Sequence, residues 1–170
     1  MKNKIILVSG DPNSINSEII YKSWKKLKKS LKERIFIISN THLLTQQFKK
    51  LKYPIKVVEV NNLNQKIKVD SLKVLNIDIV FKNPFKVSKK NSSKFVIDCL
   101  NYAHKLALSN NSSGIINCPI NKNLLKKEKI GVTEFLARKC KIIKDTEVML
   151  IYNKKLAVSP ITTHIDLKDV

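Results

Sequence analysis

Arginine is almost missing from this chain: of 33 basic residues only Arg34 and Arg138 are arginine, and the rest are lysine. That scarcity bears on the largest compositional feature, a formal net charge of +20 at pH 7 with only 13 acidic residues. Lysines that neutralise phosphates drive nucleic-acid binding by releasing counterions, but base readout and planar phosphate recognition draw on arginine's rigid fork. The lysines are spread along the whole chain, not gathered in one arm or helix. The charge therefore reads as a solvated surface, and no specific nucleic-acid partner is expected.

Cysteine is also scarce. Cys99, Cys118 and Cys140 are odd in number, unevenly spaced and without a CxxC pair, so they read as structural thiols in a reducing compartment, each among apolar neighbours. Long hydrophobic runs are absent: nothing approaches the roughly 20 apolar residues of a membrane span. Ile5 to Val8 is too short for a signal-peptide core and runs straight into an acidic turn. A cytoplasmic protein with no membrane partner is the expectation. Only three glycines occur in 170 residues. The turn from Ser9 to Glu18 accordingly lacks the three-glycine dinucleotide fingerprint, and it has no Gly-Lys-Ser/Thr phosphate loop.

What remains is ample for one sizeable core, with 43% hydrophobic residues. Strand-like and helix-like segments alternate. Lys4 to Val8 reads as a strand, and a helix from about Ser17 places Ile20, Trp24, Leu27 and Leu31 on one face. Arg34 to Ser39 is a second strand, and Asn40 or Thr41 caps a helix that buries Leu44, Phe48 and Leu51. Ile55 to Val60 is a third strand. Residues 61–88 carry mixed signals, with the apolar piece Val74 to Ile79 cut off by Asn83-Pro84. A long helix from about Asn91 to Ser109 buries Val96, Cys99, Leu100, Ala103, Leu106 and Ala107, and a buried strand follows from Gly114 to Cys118. A short helix, a helix from Thr133 to Cys140, and two strands around Asn153-Lys154 complete the pattern. The alternation predicts an α/β fold with a largely parallel sheet and a late antiparallel portion.

Four segments could carry chemistry. The turn Ser9-Gly10-Asp11-Pro12 reads locally as a capped helix start, with Asn or Ser as the cap and Glu18 in the first turn. Asn117-Cys118-Pro119-Ile120-Asn121-Lys122 lies at the carboxyl end of a strand, where α/β sheets collect ligands. Asn121 can donate and accept hydrogen bonds and Lys122 can neutralise an anion, although Asn121 as a cap and Lys122 as a solvated charge fit equally well. Thr133 and Glu134 open a helix, either as an ordinary N-cap or as donors to a ligand. His164, after Thr162-Thr163, suits a metal ligand or a base at a strand end. His42 and His104 read as structural.

Taken in order, the GDP turn, the Pro119-Ile120-Asn121-Lys122 loop, Gly131-Val132-Thr133-Glu134-Phe135-Leu136-Ala137 and the ending Thr162-Thr163-His164-Ile165-Asp166-Leu167-Lys168-Asp169-Val170 resemble the 4-hydroxythreonine-4-phosphate dehydrogenase family of pyridoxal phosphate biosynthesis. The resemblance spans the chain but only about the first half of the family pattern. The chain also stops at Asp166 to Val170, just where a new helix would begin, so it reads as a fragment: a first lobe plus the start of an interlobe or dimerisation region.

The resemblance implies an isocitrate/isopropylmalate dehydrogenase-like α/β/α fold, a homodimer and a phosphorylated small-molecule substrate. It implies oxidation of 4-phosphooxy-L-threonine by NAD or NADP, giving a β-keto acid that decarboxylates to 3-amino-2-oxopropyl phosphate in pyridoxine 5'-phosphate biosynthesis. A divalent metal such as Zn, Mg or Co is implied, with His164 matching one of three histidine ligands, and Thr133 matches a substrate-contacting threonine. Val132 stands where the family usually has a substrate-contacting histidine, and Ser14 and Asn16 replace glycines of the first turn. The other two metal histidines, the NAD-contacting segments and the later substrate residues have no counterpart here, so the chain alone is expected to be inactive. Two other readings stand beside this one: a sister dehydrogenase of phospho-erythronate or phospho-threonate, and a non-catalytic lysine-rich binding or dimerisation module.

Overall fold

The computed structural model describes residues 4–109, 112–125, 131–141, 148–160 and 168. The chain divides into two compact units, residues 1–130 and 131–170.

The first unit is built on five strands: β1 (Lys4–Val8), β2 (Ile35–Ser39), β3 (Lys56–Glu59), β4 (Ser71–Asn76) and β5 (Ser112–Asn117). Their order in the sheet is β3-β4-β2-β1-β5, and every neighbouring pair is parallel. Parallel neighbours need crossovers, and these put helices on both faces. Helix α1 (Asn16–Lys26), the short α2 (Lys29–Lys32) and α3 (Thr41–Lys50) follow β1 and β2, and α4 (Lys89–Leu108) carries the chain from β4 to β5 on the far side of β1.

Strand alternation divides the core in two. Ile35 and Ile37 of β2 and Leu72 and Val74 of β4 join Ile20, Trp24, Leu44 and Phe48 in one cluster beneath α1 and α3. The alternate positions Ile6, Val8, Phe36 and Ile38 are buried as well. Helix α4, with Phe95, Val96, Cys99, Leu100 and Ala103 buried, packs on β1, β2 and β5. The expected α/β fold with a parallel sheet is therefore present. So is the antiparallel portion: in the second unit, β6 (Ile151–Asn153) pairs antiparallel with β7 (Leu156–Val158) across the two-residue turn Lys154-Lys155. Every residue of that hairpin is exposed. Helix α5 (Val132–Lys139) precedes it. Among the described residues no helix is long and apolar enough to cross a membrane.

Several sequence expectations are corrected. The first helix does not run on to Leu31; it ends at Lys26, Leu27 is extended with ψ 140°, and Lys29–Lys32 is a separate turn. A continuous helix would have stacked Lys25 on Lys29, like charges at four-residue spacing across the break. Leu51 is a C-cap residue, half-buried, and the burial beneath α3 falls instead on Leu43, Leu44, Gln47 and Phe48. Leu106 and Ala107 are likewise only half-buried. Strand β5 is not a buried strand but the sheet's edge, with Ile116 54% exposed.

The largest omission is β4, a central strand from Ser71 to Asn76 inside the stretch that gave mixed signals. Lys73 masks it. Its aliphatic stem and ammonium are buried, 6% exposed, with Nζ donating to the Glu33 carbonyl at 2.5 Å. Cys140 also departs from expectation, being exposed while Cys99 and Cys118 are buried.

Candidate functional site

In this sheet the chain leaves β1 toward β2 on one side and later returns to β5 on the other, so the strand order reverses at the carboxyl ends of β1 and β5. Ligands of open α/β sheets bind at such a reversal. The loops that meet there are Ser9 to Ile15 after β1 and Cys118 to Asn121 after β5.

Amide side chains hold these loops together. Asn16 Nδ2 donates to the carbonyls of Asp11 at 3.2 Å and Pro119 at 2.8 Å. Asn13 brackets Val87, donating from Nδ2 to its carbonyl at 2.9 Å and accepting from its N–H at 2.8 Å. Gln47 of α3 donates to the carbonyls of Pro12 and Pro84, both at 2.8 Å. Asp11 accepts the Asn13 N–H at 2.9 Å, closing the turn on itself. Gly10 has φ +74°, and a Cβ there would lie 2.6 Å from Asn16 Nδ2, 2.7 Å from the Pro119 carbonyl and 3.0 Å from the Cys118 carbonyl. Only glycine permits both that backbone and that approach.

The first turn is thus a clasp. The sequence expectation that Asn or Ser caps α1 is replaced: the cap is Ile15, with no side-chain cap bond, because the Asn16 amide is drawn across to Pro119. Nor do Ser14 and Asn16 adopt left-handed backbone; among the described residues only Lys52 and Lys141 do so besides glycine. Beneath the clasp, Ser9, Ser17 and Ser39 surround a cavity of about 10 Å³, which excludes a ligand there.

The clasp aims the next loop outward. Asn121 and Lys122 are both exposed at this carboxyl edge. Asn121 Oδ1 accepts the Asn123 N–H at 2.9 Å and its carbonyl accepts the Leu124 N–H at 2.8 Å, so it starts the 3-10 turn Lys122–Leu125. The capping alternative for Asn121 is realised, and Lys122 is left presenting its charge beside it. Cys118, at the base of the loop, has its thiol pushed up to about 11 by burial, so it stays protonated and non-nucleophilic near neutrality.

A ligand-sized cleft of about 370 Å³ lies on the same edge, lined by Asn40, Asp78, Ile79, Val80, Asn91 and Lys94, with Phe95 at its base. Asn40 accepts the Leu43 N–H at 2.9 Å and donates to the Ile77 carbonyl at 3.0 Å, tying the start of α3 to the end of β4. Asn91 donates to the Val80 carbonyl at 2.8 Å, and Lys94 pairs with Asp98 at 2.6 Å. Sequence reasoning missed this cleft because it depends on β4; the signal was Asn40, already recognised as a cap.

In the second unit, Gly131 is the N-cap of α5, not Thr133. Thr133 is exposed in the first turn and Val132 is half-buried as the first helical residue. The Glu134 carboxylate folds back over Gly131, where a Cβ would meet its Oε2 at 2.6 Å. His164, with the rest of the Thr162-Thr163-His164 segment, lies outside the described residues. His42 is exposed on α3 with its ring 5.5 Å from that of Phe81, and His104 is on α4. Among the described residues no three His, Cys, Asp or Glu side chains gather as a metal site.

Comparison with known proteins gives this geometry a family. Residues 30–170 match the family model for pyridoxal phosphate biosynthetic protein PdxA. The 4-hydroxythreonine-4-phosphate dehydrogenase of Aquifex aeolicus is 34% identical, aligned over 100% of this chain and 52% of its own length. That of Sulfurihydrogenibium sp. is 30% identical over 98% and 51%. The crystal structure of the Klebsiella pneumoniae 4-hydroxythreonine-4-phosphate dehydrogenase superposes with a TM-score of 0.83 at 24% identity, covering 99% of this chain and 53% of that one. The chain spans about half the length of the curated relatives it matches. It belongs to the PdxA family of pyridoxal phosphate biosynthetic proteins.

Proposed function

We propose that this chain is the substrate-facing first lobe, with the start of the interlobe and dimerisation region, of an NAD-dependent dehydrogenase that oxidises 4-phosphooxy-L-threonine. The product is a β-keto acid that decarboxylates to 3-amino-2-oxopropyl phosphate. The observation that carries the reading is the family match over residues 30–170. The clasped loops agree with it, since they present Lys122 where a parallel sheet receives its ligand.

In this reading Lys122 and the Asn121 amide meet the anionic end of the substrate, a phosphate or carboxylate that favours cationic donors. Thr133 contributes its hydroxyl from the first turn of α5. The working enzyme is a homodimer using NAD or NADP, whose contacts come from residues outside this chain. His164 is one ligand of a divalent metal (Zn, Mg or Co). The described residues do not by themselves fit such a site, so no catalytic step is assigned through it. When bound, such an ion favours ionisation of a hydroxyl and stabilises developing negative charge.

Val132 favours a second reading, a sister dehydrogenase of phospho-erythronate or phospho-threonate. An apolar, half-buried side chain opens α5 where the resemblance leads one to expect a substrate-binding histidine. A protein of the full family length separates the two. With a divalent metal it is expected to reduce NAD with 4-phosphooxy-L-threonine, and reduction only with the sugar acids would move the assignment to the sister group. In the same protein, His164→Ala is expected to lower metal content and turnover at least about tenfold, with the folded far-UV signature retained. Unchanged metal and turnover would remove His164 from the site.

A further inference from the structure

At the opposite, amino-terminal edge of the sheet is a cavity of about 630 Å³, lined by Lys4, Glu33, Arg34, Phe36, Lys73 and the loop from Asn64 to Val69. Lys66 stands exposed in that loop. Among the described residues, the charged groups lining the cavity are Lys4, Arg34, Lys66 and Lys73 against Glu33, a strongly cationic lining. Lys73 is unlike the others. It rises from the middle of a central strand, is 6% exposed, and has its amine 4.2 Å from the Phe36 ring centroid and 2.5 Å from the Glu33 carbonyl. Lys4 lies over the same ring at 5.5 Å.

We propose that Lys73 is a covalent attachment site for small anionic aldehydes, which the cationic cavity gathers and the buried amine captures as an imine. The cavity is large enough for a ligand of several heavy atoms, and its cations select negative charge. Burial, reinforced by the charge of Lys4 and opposed by Glu33, lowers the Lys73 amine to about 8. Desolvation beside another cation is how lysine nucleophiles are activated. Against an ordinary lysine near 10.5, that leaves on the order of 100-fold more free amine at neutral pH. One N–H can keep its bond to the Glu33 carbonyl while the lone pair attacks. The nitrogen adds to the aldehyde carbon, and the carbonyl oxygen departs as water with one proton from the nitrogen and one from solvent. A cationic imine remains, next to Arg34 and Lys66, which hold the ligand's anionic group.

The test treats the 170-residue chain with glyoxylate and cyanoborohydride and maps the reduced adducts by peptide mass spectrometry, with propanal as the neutral control. Lys73 is expected to be labelled by glyoxylate about tenfold faster than the surface lysines. Its rate should level off as pH passes about 8, while theirs climb toward 10.5. Lys66→Gln, a change at an exposed position, is expected to slow glyoxylate labelling of Lys73 and leave propanal labelling unchanged. Labelling of Lys73 no faster than the surface lysines, or equal preference for propanal, would overturn the proposal.

Discussion

Residues 1–170 expressed alone are expected to leave NAD unreduced in the presence of 4-phosphooxy-L-threonine and a divalent metal, at a level more than about a thousandfold below a protein of the full family length. The chain covers 52% of its Aquifex aeolicus relative and holds three histidines in all. Of these, His42 lies on α3 and His104 on α4, in different parts of the first unit. The resemblance assigns neither of them to metal. A catalytic metal takes about three protein ligands, and His164 alone matches one. Pairing two copies brings one such histidine from each, which meet around one ion only if the site lies on the symmetry axis. Initial rates of NAD reduction, measured side by side with metal content, decide the matter. Comparable turnover by the 170-residue chain would refute this division of the catalytic parts.

Gly10→Ala is expected to lower the unfolding free energy by about 2–5 kcal/mol. A left-handed backbone at an L-residue accounts for about 1–2 kcal/mol of that. The remainder comes from the Cβ itself, which would sit 2.7 Å from the Pro119 carbonyl and 2.6 Å from Asn16 Nδ2. The carbonyl is main chain and cannot swing aside; the Asn16 amide can, but only by giving up its bonds to Asp11 and Pro119. Losing buried hydrogen bonds in this way costs about 1–3 kcal/mol. Urea denaturation at fixed pH is the measurement, and a change below about 0.5 kcal/mol would mean that the two loops are not tightly clasped.

The contrast between β1 and β4 shows what local pattern can and cannot reveal. Lys4 to Val8 and the long stripe of α4 are apolar at the period of their element, and both lie close to where the sequence places them. Strand β4 is no less buried, but Lys73 interrupts its run, and a lysine can be read as buried only when the Glu33 carbonyl and the Phe36 ring that receive it are known. The α1 stripe misleads in the opposite way: Leu27 and Leu31 keep helical spacing, yet the helix ends at Lys26 and Leu27 is extended.

The site divides along the same line. That Asn121 and Lys122 follow a strand end was legible, because a strand followed by Pro is a local signal. What holds them was not, since the Asn16 bond to Pro119 spans 103 residues of sequence. The expected cap of α5, Thr133, is replaced by Gly131, over which the Glu134 side chain folds.

The most direct measurement on the proposed chemistry is the ratio of carbon dioxide released to NADH formed by a full-length protein given 4-phosphooxy-L-threonine. Oxidation to a β-keto acid followed by decarboxylation yields the two in equal amounts, and that is the expected result. NADH accumulating without carbon dioxide would contradict it, because the β-keto acid would then be released without decarboxylating.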